Sequence, residues 1–207
     1  MPLDLTALVT PAHTALLMME CQEGIVGSGG KLGALSEAVA RHGTIDRIHG
    51  LLSAARRAGV QVFHLTMARR ADGVGAPANC RLLAATRKSS NPLVLGSAVQ
   101  AVVAPLAPVA SDYVMVRYHG LTPFHGTELD QLLRNLGVRT VIATGVSVNI
   151  GITGLTLEAV NAGYQVVLPR DAVTGTPDSH VDSMFEHTLG LLATVTTVAA
   201  VAAAWGE

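Results

Sequence analysis

RTVIATGVSVNIGITGLTLEAVNAGYQVVLP, residues Arg139 to Pro169, carries a pattern from which the rest of the chain can be read. Its opening, "RTVIATG", is an apolar run ended by glycine, which predicts a buried strand. "NIGITGLTLEAVNAG" then spaces its apolar residues as a helix running to Gly163, and "YQVVLP" reads as a second buried strand. Strand, crossover helix and strand in close succession form the unit from which parallel sheets are built. The turn into the helix is a usual place for a catalytic group, yet the residue that opens it, Gly151, has no side chain.

Working outward, the alternation continues. "TALLMME" (Thr14 to Glu20), "VQVFHLT" and "DYVMVR" read as three earlier strands, and "TVTTV" near the C-terminus as a sixth. "KLGALSEAVARHGTIDRIHGLLSAARRAG" has a helical pattern that predicts one long helix closed by Gly59. "SAVQAVVAPLAP" is expected to form a short helix broken by Pro105, and "ADGVGAPANC" a loop. "TELDQLLRNLG" is amphipathic, with Leu129, Leu132, Leu133 and Leu136 on one face, and "PDSHVDSMFEHTLGLLA" predicts a last long helix. The expectation is one α/β domain over 1–207: a three-layer, Rossmann-like doubly wound sheet of about six mainly parallel strands with helices on both faces. Ligands of such sheets bind beyond the carboxyl ends of the strands. Glu20 ends the first strand, Arg117 the third, and Gly145 to Gly151 follow the fourth, so three distant segments point into one crevice.

Composition narrows the function classes. With 207 residues, 49% hydrophobic and 14% charged, the chain is long enough to bury a core, and its net charge of −1 argues against a nucleic-acid partner. The N-terminus lacks the pattern of a signal peptide, and the apolar run near the C-terminus is too short to span a bilayer. Cys21 and Cys80 are expected to be free thiols in a reducing cytoplasm. "GIVGSGGKLG" fails both the phosphate-loop and the dinucleotide spacings and reads as a loop at the crevice mouth. The eight histidines include no HExxH, and His42, His49, His180 and His187 read as surface or interface positions on the first and last helices.

The segment order resembles the isochorismatase-like hydrolases, which include nicotinamidases, carbamoyl-amide hydrolases and isochorismatases. The resemblance runs from "ALLMMECQEG" through "PFHGTELDQLLRNLGVRTVIATGV" to "EAVNAGYQVVLPRDAV". Most such proteins carry an Asp-Lys-Cys triad, and this chain departs at all three places. Glu20 stands for the aspartate, Arg117 for the lysine (with Tyr118 an alternative match), and Gly151 for the cysteine. Thiolate attack from that position is therefore absent.

Two readings remain open. One is isochorismatase-like cleavage of a vinyl ether, in which Glu20 is the acid and Arg117 holds a substrate carboxylate. The helix start at 150–153 would then offer backbone N–H groups to an anion. The other is a catalytically inactive member that binds a small molecule or a protein. By resemblance, Gln22, His119, Phe124, Val146, Ser147 and Ile150 are expected to contact the ligand, with a cis peptide at Val146–Ser147. His119 and His125 flank a loop near the crevice, and Ser147 and Thr153 are the hydroxyls beside Gly151. Relatives that bind a metal use an aspartate and histidines after the second strand; His64 and Asp72 lack a second histidine, so no metal and no cofactor are expected. The expected partner is a small-molecule substrate or ligand, with no nucleic acid and no membrane, in a cytoplasmic homodimer or homotetramer.

Overall fold

The structure is a computed structural model that describes residues 4–27 and 33–207. Its strands are β1 (Thr14–Met19), β2 (Gln61–Met67), β3 (Tyr113–Arg117), β4 (Thr140–Val146), β5 (Gln165–Pro169), β6 (Val173–Thr174) and β7 (Thr194–Thr196). They form one sheet in the order β3-β2-β1-β4-β5-β7, with β6 on β4 beyond the stretch that pairs with β5. All of these pairings are parallel.

The helices are α1 (Leu5–Leu8), α2 (Gly33–Arg41), α3 (Thr44–Ala58), α4 (Arg81–Arg87), α5 (Leu129–Asn135), α6 (Thr153–Asn161), α7 (Asp178–Met184), α8 (Gly190–Leu192) and α9 (Val198–Ala204). They cover both faces of the sheet. Leu16, Met18, Val62 and Ile142 point to one face, against Ile48, Leu51 and Leu52 of α3 and Val201 of α9. Leu17, Met19, Phe63 and Val141 point to the other, against Leu129 and Leu133 of α5 and Leu155 and Ala159 of α6. That is why β1 reads as a continuous apolar run: each of its six residues is buried.

This winding places the crevice. The chain leaves β1 toward the face of α3 and leaves β4 toward the face of α6, so the two adjacent strand ends part company and a gap opens between them. Gly145 lets β4 close up at that point. It pairs with Met19 at φ 103°, and a Cβ there would lie 2.2 Å from the Met19 carbonyl oxygen.

Several elements differ from the sequence expectation, each for a local reason. The long helix ending at Gly59 is divided at Gly43, whose left-handed backbone (φ 60°) ends α2 and turns the chain into α3. Its first residues, Lys31 and Leu32, and part of the glycine-rich loop before it lie outside the described residues. "SAVQAVVAPLAP" is not a helix but an irregular segment with one 3-10 turn at Ala104–Leu106. Val102 bridges to Gln22, and the Val103 N–H donates to the Cys21 carbonyl, so these backbone groups are committed outside any helix. The last long helix passes through a π-helical stretch, Phe185–Leu189, between α7 and α8. Helix α4 and the two-residue β6 lie where no element was expected.

Candidate active site

Glu20 follows β1 with φ 54°, the single positive φ among the described non-glycine residues. Its N–H donates to the Leu65 carbonyl at 2.9 Å, and its own carbonyl accepts from the Gln22 N–H at 2.8 Å. These bonds hold a left-handed turn that costs an ordinary side chain about 1–2 kcal/mol. The turn directs the Glu20 carboxylate at Arg117, the last residue of β3, and an Arg117 Nη2–Glu20 Oε1 ion pair joins the two strand ends. Arg117 is 4% exposed and the Glu20 side chain 16%. The remaining guanidinium nitrogens, Nε and Nη1, are buried without a hydrogen-bond partner. Tyr118, the alternative match to the lysine position, is 46% exposed and sits further out on the crevice wall. The buried contact to Glu20 belongs to Arg117.

The Val146–Ser147 peptide is cis, and the chain then enters a π-helical turn, Val148–Ile152, that leads into α6. The helix start expected to offer free N–H groups is partly self-satisfied. The Ile150 and Ile152 N–H groups donate to the Ser147 carbonyl, and the Thr153 N–H to that of Ile150. Gly151 is buried in this turn, and the space beside it is tight. A Cβ on Gly151 would stand 3.0 Å from the Val146 carbonyl oxygen and 3.1 Å from the Met19 methyl.

Three of the neighbouring hydroxyl and thiol groups are poorly placed to act as a nucleophile. The Thr153 hydroxyl donates to the Val148 carbonyl at 2.5 Å. Burial, with Glu20 beside it, pushes the Cys21 thiol up to about 12, which leaves it protonated and unreactive near neutrality. Cys80 is exposed, at the start of α4.

Glu20, Arg117, His119, Ser147, Ile150 and Gly151 line one crevice, so these six expected residues come together. Three others do not. Gln22 is fully buried and its amide is committed: Nε2 donates to the carbonyls of Met67 (2.9 Å) and Gln100 (2.7 Å), and Oε1 accepts from the Met67 N–H (2.8 Å). It ties β1 to β2 instead of touching a ligand. Phe124 packs toward Tyr164, ring centroids 6.0 Å apart, on the α5–α6 face. Val146 points into the core on the α3 face. His125 is exposed and meets His119 edge-on at 6.1 Å. His64 is buried against Asp112, while Asp72 pairs with Arg70 on the surface, and the described residues contain no cluster of three or more metal-ligating side chains.

The crevice also contains residues that sequence reasoning did not find: Arg69 after β2, Asn149, Thr176, and Leu82, Leu83 and Arg87 of α4. Arg69 donates through Nη1 to the carbonyls of Thr86 and Arg87, both at 3.2 Å, which fixes the end of α4 over the opening. The available signal was "CRLLAATR", a short helical pattern after a loop. No helix among the described residues is long and apolar enough to cross a membrane.

Comparison with known proteins agrees with this geometry. The model of the Isochorismatase domain matches residues 14–200. The ureidoacrylate amidohydrolase RutB of Methylobacterium radiotolerans is 31% identical over 176 residues, 78% of this chain and 67% of the relative. An isochorismatase family protein from Desulfovibrio vulgaris superposes with a TM-score of 0.81 at 28% identity, covering 94% of this chain and 98% of the other. A cysteine hydrolase from Pseudomonas syringae pv. phaseolicola shares the fold at a TM-score of 0.80 and 23% identity, over 96% and 95% of the two chains.

Proposed function

This chain belongs to the isochorismatase family of hydrolases, and on that premise we propose that it hydrolyses a small anionic enol ether of the isochorismate kind by direct addition of water, with no covalent intermediate. The observation that carries the reading is a glycine, closely packed, at the crevice position where a nucleophile would stand. A Cβ there would stand 3.0 Å from the Val146 carbonyl oxygen and 3.1 Å from the Met19 methyl, so the backbone and Met19 pack closely around a residue without a side chain. The amidohydrolase name of the RutB relative is a statement about that protein.

The two remaining charged groups suit this chemistry. Arg117, whose Nε and Nη1 lack partners, takes a substrate carboxylate once Glu20 moves aside. In this reading Glu20, displaced from Arg117 by the substrate carboxylate, is the acid of the complex. Glu20 delivers a proton to the terminal vinyl carbon. The double-bond electrons form the new C–H bond and leave an oxocarbenium ion. Water adds to the cationic carbon and returns a proton to the Glu20 carboxylate. The resulting hemiketal collapses, its hydroxyl proton passing to the departing oxygen, to give an alcohol and a keto acid. Guanidinium stays charged throughout and serves only to bind and orient.

The test is pyruvate release from isochorismate by the full chain, with Glu20→Ala as control. Release by the wild type and its loss in the variant support the reading. No release by the folded protein overturns isochorismate as substrate and favours the second reading, a fold that binds without turnover. The Glu20–Arg117 pairing, which occupies the acid in the free protein, speaks for that alternative.

A further inference from the structure

The crevice encloses about 690 Å³, within the range of sites that bury ligands of drug size. Its lining divides by chemistry. Four ionised side chains face it, Glu20, Arg69, Arg87 and Arg117, three cations against one carboxylate. The other walls are mainly apolar: Leu82 and Leu83 of α4, Pro92 and Leu93 of the loop after it, and Ile25 and Leu35 from the opposite side. Leu82 is 38% exposed although it lines the crevice, so apolar surface remains there for a ligand to cover. The segment that supplies α4 is also basic. Arg69, Arg70, Arg81, Arg87 and Lys88 face only Asp72 between residues 68 and 93, in a chain whose net charge is −1. Anions are therefore drawn toward this opening.

We propose that the crevice takes an amphiphilic carboxylate, with its anionic head at Arg117 and an aromatic or branched apolar body laid along Leu82, Leu83 and Leu93. The proposal deepens the hydrolase reading and rests on this crevice being the substrate site. It also separates the ligand from small, wholly polar acids, which would leave the α4 wall uncovered.

The experiment is an equilibrium titration of the full chain with benzoate, phenylacetate, 3-phenylpropionate and 4-phenylbutyrate, followed by calorimetry or ligand-observed NMR. The matching primary amides serve as uncharged controls. The expected result is a Kd that falls about fourfold for each methylene added, with each amide at least about tenfold weaker than its acid. Leu82→Asp, a change at a half-exposed side chain that leaves the core intact, removes the gain with chain length. A flat series overturns the proposal, as does equal binding of acids and amides, even where Glu20-dependent pyruvate release is found. The chain-length gain and its loss in Leu82→Asp support the proposal even where no enol ether is turned over, an outcome that overturns the hydrolytic reading alone.

Discussion

Replacing Glu20 separates two costs that the structure places on one residue. Glu20→Ala removes the carboxylate and leaves the guanidinium of Arg117, 4% exposed, with no counter-charge. Removing one member of a buried ion pair costs about 3–5 kcal/mol. The alanine must still adopt φ 54°, where an L side chain pays about 1–2 kcal/mol. Glu20→Gly loses the same ion pair but has no Cβ to strain. Glycine's larger freedom in the unfolded chain takes back about 0.4–1 kcal/mol, so the glycine variant is expected to be the more stable by about 1 kcal/mol. In a chain of 207 residues that difference raises Tm by about 2–4 °C. This ordering reverses the one found in ordinary helices and strands. Denaturant titration and calorimetry of both variants beside wild type measure it, with circular dichroism to confirm the fold. An alanine variant as stable as the glycine variant, or more stable, refutes the claim that this turn holds strain. Both variants are expected to lose Glu20-dependent turnover, so the comparison also shows stability and activity moving independently at one residue.

Three further outcomes are expected. Gln22→Ala removes three hydrogen bonds, two to Met67 at the end of β2 and one to the Gln100 carbonyl, and strands the groups that made them; a loss of about 3 kcal/mol is expected in denaturant unfolding, whereas a surface-like loss below about 0.5 kcal/mol would show that water replaces the amide. Gly145→Ala would put a Cβ 2.2 Å from the Met19 carbonyl oxygen at φ 103°; destabilisation of at least about 3 kcal/mol is expected, and a variant with unchanged Tm would show that the two strand ends are not in this register. Burial, opposed by the Asp112 hydrogen bond, holds the His64 imidazole below its ordinary value of 6.5, so the unfolded chain binds a proton that the native protein resists. The stability tied to this difference is complete above about pH 6.5 and is lost as pH falls toward the native value. Wild-type Tm should therefore fall between about pH 7 and 5 more steeply than that of His64→Gln, and parallel profiles would refute the assignment.

Glu20 and Arg117, which the resemblance sets at the aspartate and lysine positions of a triad, meet in one ion pair. Glutamate is longer than aspartate, and arginine longer than lysine, yet the two meet across the crevice floor because Arg117 lies at the very end of β3 and Glu20 turns back from β1 in a left-handed conformation. Met19 and the Val146 carbonyl pack closely around Gly151, at the same end of the sheet. On the proposed reading this floor binds an anion and moves a proton without an acyl-enzyme, and the test therefore centres on a bond that water cleaves directly.

Much of the fold follows from sequence alone, because the period of the apolar residues and the positions of the glycines are local quantities. β1 through β5 lie within a residue or two of their expected places, and Gly59 closes α3 as expected. The order of strands and helices also brings Glu20, Arg117 and the 145–151 turn to one end of a parallel sheet, since ligands of such sheets gather where successive crossovers diverge. Other features depend on contacts between distant segments. Gln22 and Phe124 resemble ligand-binding residues in their motifs, but the tertiary structure commits one to Met67 and Gln100 and packs the other against Tyr164. Helix α4 is too short for periodicity to announce, and its place on the crevice wall depends on distant contacts such as those of Arg69 with its last carbonyls. The positive φ of Glu20, the idle nitrogens of Arg117 and the tight space beside Gly151 occur where β1, β2, β3 and β4 end side by side, a register that no local pattern encodes. Sequence determined which residues are available to the site; the long-range packing of the strand ends decided which of them face a ligand.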